Sequence, residues 1–281
     1  MSAAAPRISP AGRILVWAAV GVVVGPFAPL VVQSLAFRWA WPDLLPGTWW
    51  WERRGASPVP LAWDYVLSPV SRVGEATLNT VGIGLAVALL ALLVSLPAAR
   101  VLARGRFRGK AAAELFVALP LLVPETAIGL ALLMIAIRMG LAGSYAGVVL
   151  VHLVPTIPYA VRMLTAVWQG LDGTFEEQAA VLGATRAQVL RLVVLPMLLP
   201  GVLAAALFAF LVSTNLFLLT FLLGQGSIVT LPTLLFAKVA GGALDATAAG
   251  IALVAALPGL FALMAMDRLV REDVFERGFG G

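Results

Sequence analysis

The sequence predicts an all-α membrane protein with six transmembrane helices and both termini on the cytoplasmic side. Three observations carry that prediction. Hydrophobic residues make up 61% of the 281, charged residues only 12%, and the mean hydropathy is +1.00, whereas a soluble domain carries about 25% charged residues. The charges are spaced so that long uncharged runs, each near the ~20 residues a bilayer span needs, lie between them. The 19 lysines and arginines divide unevenly between the two sides that six spans define. This composition excludes a water-soluble globular domain and a disordered chain.

The spans follow in order from the gaps between charges. Arg13 and Arg38 bound the first, 14–36. It is longer than the apolar region of a cleaved signal peptide, and no small-residue cleavage site follows it, so it reads as a span. Glu75 and Arg100 bound the second, 76–99. The third, 112–137, contains Glu125, and the fourth, 145–168, contains His152. The uncharged run from Arg191 to Lys238 is 46 residues long and holds one full span, 198–223, closed by Gly224-Gln225-Gly226-Ser227. Its remainder, Ile228 to Ala237, is too short to cross and holds Pro232, so it reads as a short helix or re-entrant piece. The sixth span is 245–266. With the N-terminus inside, 13 of the basic residues lie on the inner side and 6 on the outer, which is the arrangement the positive-inside rule selects. One transmembrane domain, 1–281, in the inner or plasma membrane is expected. The first outer loop holds Trp39, Trp41, Trp49, Trp50, Trp51 and Trp63. It reads as an aromatic belt at the interface, or as a docking surface for an outside partner.

Several chemistries are excluded or weak. The chain has no cysteine and a single histidine, so thiolate, disulfide and His- or Cys-rich metal chemistry are out. No metal, cofactor or nucleic-acid partner is expected. Gly105 to Lys110 is one residue short of a phosphate-binding loop, and Ala111 stands where Ser or Thr would hold magnesium. It reads as inner positive charge, so this chain does not hydrolyse ATP through such a loop. An intramembrane serine protease would have only Ser144 and His152 to work with, without a nucleophile elbow.

Polar groups inside spans are costly and mark function or helix packing. Glu125, directly after Pro124, reads as part of a cation path or gate. Its structural alternative is a pair with Arg162 or a cap on a helix broken at the proline. Ser213, Thr214 and Asn215 form a polar cluster in the fifth span, lining a substrate path or joining helices. His152, near Pro155 and Pro158, reads as a packing histidine.

The inner segment 169–195 is more than a linker. Thr174 with Glu177 and Thr185 with Gln188 have the spacing of two successive capping boxes. Gly183 stands where a left-handed glycine would end the first helix, and the second helix is expected to stop at Leu195-Pro196. Phe175, Ala179 and Leu182 share one face of the first helix. That helix carries Glu176 and Glu177 but no basic residue, which favours a protein groove over anionic lipid as its cover. Glu177-Gln178-Ala179, then Gly183 four residues on and Pro196 thirteen beyond that, resembles the EAA loop of permease subunits of binding-protein-dependent type I ABC importers. Gln178 and Val193 depart from the family pattern. Asn79-Thr80 and the Arg-Phe-Arg-Gly-Lys run at 106–110 resemble the spermidine/putrescine branch, whereas Asn215 lacks the acidic charge that branch tends to carry.

The resemblance implies a coupling helix between helices 4 and 5, with Phe175, Glu176, Glu177, Gln178, Ala179, Leu182, Gly183 and Pro196 at the contact with an ATPase. It implies two ATP-binding subunits, a second permease subunit (identical or related), an extracytoplasmic substrate-binding protein and membrane lipid as partners. Glu125, Ser213, Thr214 and Asn215 are the candidates for the substrate path. A polyamine or another small cation is the first expectation for the substrate; thiamine, iron(III), phosphonate and sugar remain open. A passive channel or scaffold is the alternative class, though it leaves a capped inner helix-turn-helix without a role.

Overall fold

Backbone N–H and C=O groups in hydrocarbon must pair within their own segment, which a helix achieves. The computed structural model describes residues 9–39, 42–54, 60–241 and 245–273, and they are helical over most of their length. The elements are α1 (Pro10–Val24), α2 (Phe27–Leu35), β1 (Ala36–Arg38), β2 (Thr48–Trp49), α3 (Ala62–Val66), α4 (Val73–Arg104), α5 (Lys110–Leu122), α6 (Glu125–Arg138), α7 (Tyr145–Gly170), α8 (Thr174–Val181), α9 (Arg186–Gln188), a π-helical turn (Val189–Val194), α10 (Leu195–Asn215), α11 (Phe217–Gly224), α12 (Leu231–Ala240) and α13 (Ala246–Asp273). Among the described residues, four helices are long and apolar enough to cross a membrane, and six spans result if each of two bent pairs counts as one. Trp41, and Arg7 and Arg277 among the 13 inner basic residues, lie outside the described residues.

The backbone divides into two compact units, residues 1–74 with 235–254 and residues 75–234 with 255–281. In the first, α1 and α2 form a pair bent by 41° at Gly25-Pro26, where the proline has no N–H to continue the ladder. A short antiparallel ribbon follows, with Ala36 opposite Trp49 and Arg38 opposite Thr48. The sequence reading did not anticipate it. Trp49 stacks on Trp51 with centroids 5.0 Å apart, and the Arg54 guanidinium lies 5.3 Å over Trp50 while pairing with Asp64 at 2.7 Å. Trp49, Trp50 and Trp51 thus pack on one another and on arginine. Lys238 pairs with Asp245 at 3.4 Å, and Asp245 caps α13 by accepting from the Ala248 N–H at 2.7 Å.

In the second unit, α4 rises about 48 Å over its 32 residues, well past a ~30 Å hydrocarbon core. Its last turns, with Arg100 and Arg104, therefore extend beyond the apolar run. The core forms around α7. Val148 and Val151 pack with Ile83, Val87, Leu219 and Leu223, and Leu164 and Trp168 pack with Ala99, Leu198 and Ala205. The start of α4 is tied to the segment before α12. Asn79 donates to the Val229 carbonyl at 2.8 Å and accepts from the Tyr145 hydroxyl at 2.8 Å, and Thr80 accepts from the Leu231 N–H at 2.9 Å.

Three expectations about continuity are corrected. The run 112–137 is a pair of helices, α5 and α6, bent by 98°. Val123 is extended, as the residue before a proline tends to be, and Pro124 starts a new helix. Glu125 is therefore a first-turn residue at a sharp bend, and among the described residues it makes no ion pair with Arg162. The loop's second helix does not stop at Leu195-Pro196; Arg186 to Asn215 is one continuous helical run through the π turn. Pro196 sits in the first turn of α10, where its missing N–H disturbs least. The span 198–223 is instead broken at Leu216 (φ −72°, ψ 86°), and α11 begins after it. Ile228 to Ala237 contains most of α12, a ten-residue apolar helix, in keeping with the short piece expected there.

Candidate functional site

The loop after α7 is held by two arginines at the end of α4. Arg104 donates from Nη2 to the Leu171 carbonyl at 2.9 Å and from Nε to the Trp168 carbonyl at 3.4 Å. These are last-turn carbonyls of α7, which have no partner within the helix. Glu176 lies 3.7 Å from Arg104 and 3.8 Å from Arg100, and Arg100 lies 5.2 Å over the Trp168 ring. A Cβ on Gly173 would come within 3.0 Å of Arg104. The sequence reading counted both arginines as inner positive charge and missed this role, because nothing in local spacing links residues about 70 positions apart.

Thr174 is the first helical residue of α8, not its cap, and the expected Thr174–Glu177 box is absent. Asp172 takes the capping part instead, accepting from the Thr174 N–H at 3.0 Å. Hydrogen bonds from the Thr174 hydroxyl and amide lower the Asp172 pKa below its ordinary value, with a smaller contribution from Arg104. The C-terminal end of α8 is as the sequence predicts. Gly183 has φ +86°, the Ala184 N–H donates to Ala179 O at 3.1 Å, and the Gly183 N–H donates to Ala180 O at 3.0 Å, which completes a Schellman motif. Nothing lies within 4 Å of a Cβ placed on Gly183, so the left-handed backbone alone requires glycine there. The second box is present: Gln188 Oε1 accepts from the Thr185 N–H at 2.8 Å, and Thr185 Oγ1 accepts from the Gln188 N–H at 3.4 Å.

Of the face expected to meet a partner groove, Phe175 and Leu182 stand outward, whereas Ala179 turns inward with Glu176. Glu176 and Ala179 are half-buried, while Glu177 and Gln178 are exposed. Phe175 is 48% exposed and Leu182 is 87% exposed, as is Val181. Three apolar side chains therefore stand outward on a loop fixed from behind. A cleft of ≈ 570 Å³ lies between α8, the end of α4 and the segment from α9 into the π turn, lined by Arg100, Glu176, Ala180, Arg186, Val189 and Leu190.

The polar residues of the spans are dispersed. His152, fully buried, bridges Ser213 Oγ through Nδ1 at 3.0 Å and Thr220 Oγ1 through Nε2 at 2.9 Å. Thr214 donates to the Leu211 carbonyl at 3.1 Å, and exposed Asn215 donates from Nδ2 to the same carbonyl at 2.7 Å. Glu125 is exposed at the α5–α6 bend. Ser213 is thus engaged with His152, and only Glu125 and Asn215 of the four lie open. Among the described residues no group of three or more His, Cys, Asp or Glu could hold a metal ion.

Residues 91–272 match the protein family described as the binding-protein-dependent transport system inner membrane component. The ORF1 protein of Streptomyces antibioticus, provisionally named as an ABC transporter permease protein, is 35% identical over 68% of this chain and 86% of its own length. The Escherichia coli protein PotI, a putrescine transport system permease protein, is 31% identical over 60% of this chain and 64% of its own. The Mycobacterium tuberculosis protein ModB, a molybdenum transport system permease protein, is 34% identical over 54% of this chain and 61% of its own. The match thus spans a little under two thirds of PotI and ModB. A bacterial ABC transporter involved in the import of the acidic polysaccharide alginate superimposes with a TM-score of 0.68 at 15% identity, covering 94% of this chain and 99% of that one. At that identity the likeness is one of fold.

Proposed function

The chain belongs to the inner membrane components of binding-protein-dependent transport systems, and on that premise we propose that its loop 169–195 couples an ABC importer permease to a separate ATP-binding subunit. The observation that supports this reading is the outward apolar edge of α8, Phe175 with Val181 and Leu182, on a helix anchored from behind by Glu176. An exposed apolar edge next to carboxylates is a poor match for anionic lipid and a good one for a protein groove. Glu177 and Gln178, both exposed, would meet the ATPase, and Ala179, Gly183 and Pro196 would set the shape of the contact. ATP-driven closure of two such subunits would pull α8 and rock the spans between inward- and outward-facing states.

In this proposal both termini are cytoplasmic and each bent helix pair counts as one span. The working assembly has two permease subunits, identical or related, two ATPases and an extracytoplasmic binding protein. Changing Glu177 to Ala or Gly183 to Trp is expected to leave the permease folded and to separate ATP hydrolysis from uptake. Normal transport in both variants would overturn the coupling assignment.

Selectivity is assigned mainly to the binding protein, since the spans offer few open polar groups. A polyamine or another small cation is the first candidate substrate, and Glu125 and Asn215 are the residues placed on its path. Ser213 and Thr214 shape that path through the helices they join. Molybdate is the second candidate, favoured by the likeness to ModB. Glu125→Gln is expected to lower putrescine uptake about tenfold if the carboxylate meets a cation. Unchanged putrescine uptake would leave Glu125 as a first-turn residue of α6 that favours the helix N-terminus. Uptake of labelled molybdate but not putrescine would decide for the second candidate.

A further inference from the structure

A second cavity in the same unit touches the loop 169–195 only at its first residue, Gln169, and none of α8. It measures ≈ 180 Å³ and lies among α4, α5 and α7, with Leu102, Val117, Ala118 and Val161 as apolar wall and Glu114, Arg162 and Gln169 as polar groups. Thr165, also on its wall, is already committed, its hydroxyl donating to the Val161 carbonyl at 2.7 Å. Glu114 and Arg162 line one small cavity, yet no ion pair joins them, and no hydrogen bond reaches the side chains of Glu114, Arg162 or Gln169 among the described residues. All three are exposed.

Opposite charges on an apolar-walled cavity that do not meet each other point to an occupant carrying both signs. An anion alone would satisfy Arg162 and leave Glu114 beside new negative charge; a cation alone would do the reverse. A zwitterion pairs both. The place of the cavity in the chain says which kind. Glu114 lies about 6 Å from the first residue of α5, and Gln169 is the next-to-last residue of α7. Arg104, bonded to the Leu171 carbonyl, brings the end of α4 to the same level. The polar groups therefore cluster at the ends of three helices and not at their middles. Arg162, about 12 Å from the end of α7, can extend its guanidinium toward that level as long basic side chains do. Helix ends on the basic side of a membrane protein lie where phospholipid headgroups lie.

We propose that this cavity binds the headgroup of an aminophospholipid such as phosphatidylethanolamine, with the phosphate on Arg162, the ammonium on Glu114 and the glycerol region against Leu102, Val117 and Val161. Arg162 offers a forked guanidinium to phosphate oxygens, and Glu114 accepts from a primary ammonium, which phosphatidylcholine lacks. The assignment of the site to the inner leaflet rests on the inside location of both termini.

The test uses the full chain, reconstituted in nanodiscs of equal parts phosphatidylethanolamine, phosphatidylglycerol and phosphatidylcholine. The assembly is then stripped with mild detergent, and the retained lipids are quantified by mass spectrometry. Wild type is expected to retain phosphatidylethanolamine roughly tenfold over either competitor. Glu114→Gln is expected to erase the preference over phosphatidylcholine, and Arg162→Gln to lower retention of all three. Equal retention of the three lipids by wild type, or the same pattern in both variants as in wild type, would overturn the site, and the wild-type arm decides even if a variant misfolds. Preferential phosphatidylglycerol would overturn it in favour of a plain basic patch. Because the chain has no cysteine, Arg108→Cys reports the side of the membrane separately. Labelling from outside would overturn the topology, whereas loss of lipid preference with inside labelling overturns the site alone.

Discussion

Replacing Arg104 by alanine is expected to lower coupled uptake by an order of magnitude or more while the permease still inserts and assembles. Two charged hydrogen bonds, to the Leu171 and Trp168 carbonyls, are lost, each worth about 1.5–3 kcal/mol when intact. The ion pair with Glu176 matters less. Its arms are 3.7 Å apart and the Arg104 side chain is 36% exposed, so it belongs with surface pairs of about 0–1 kcal/mol. This ranking is itself testable, because Glu176→Gln removes the pair and keeps both carbonyl bonds. It should cost uptake far less than Arg104→Ala. The readouts are substrate uptake and ATP hydrolysis measured on the same reconstituted complex. Hydrolysis that continues without uptake in Arg104→Ala marks a loop that has lost its hold on α7. Full uptake in that variant would mean that chain connectivity alone positions α8.

His152→Leu carries the second large effect, on stability. Thr220 donates its hydroxyl proton to the Leu216 carbonyl at 2.9 Å, so toward His152 it must accept. The ring nitrogen facing it, Nε2, then carries the proton, and Nδ1 accepts from the Ser213 hydroxyl. Every donor in this chain of bonds has one acceptor, and the ring spans the break at Leu216 by holding α10 on one side and α11 on the other. Leucine fills much of the volume but leaves the Ser213 and Thr220 hydroxyls facing an apolar group in a dry core. The expected cost is about 2–4 kcal/mol, read as a clear fall in melting temperature in detergent. Adding Ser213→Ala and Thr220→Val to His152→Leu should recover most of it, since removing both sides of a buried bond is close to neutral. Equal melting of His152→Leu and wild type would show that the bridge contributes nothing to the break.

Much of this was legible in the chain. Most gaps between charges overlap a long apolar helix or a bent pair, the fifth being shifted toward Arg186–Asn215, because charge is the costliest thing to place in hydrocarbon. The Gly183 turn and the Thr185 cap were legible because both are set by residues within a few positions. The break at Leu216 was not, and the one at Pro124 was legible only as the structural alternative for Glu125. Pro97, Pro155, Pro158, Pro200 and Pro258 all ride inside helices, whereas Pro124 ends one and Leu216 breaks another without any proline. Whether a proline bends or breaks a helix depends on what neighbouring helices do for the freed carbonyl, which lies outside the local sequence. The same reason hid Arg100 and Arg104, whose partners come from the end of α7 and from α8, and hid the inward turn of Glu176.

The π turn at Val189–Val194 has a geometric consequence for the whole loop. A π turn accommodates one residue more than the α-helix around it, and one residue corresponds to about 100° of rotation about the axis. Deleting a single residue within Val189–Val194 would let the segment close as regular α-helix. Everything upstream on that rod, from Arg191 back through α9 to the tip of α8, would then swing by roughly that angle relative to α10. The azimuth at which the membrane helix presents the loop is therefore stored as one surplus residue, and a one-residue deletion there would test phase alone, with every side chain of α8 intact.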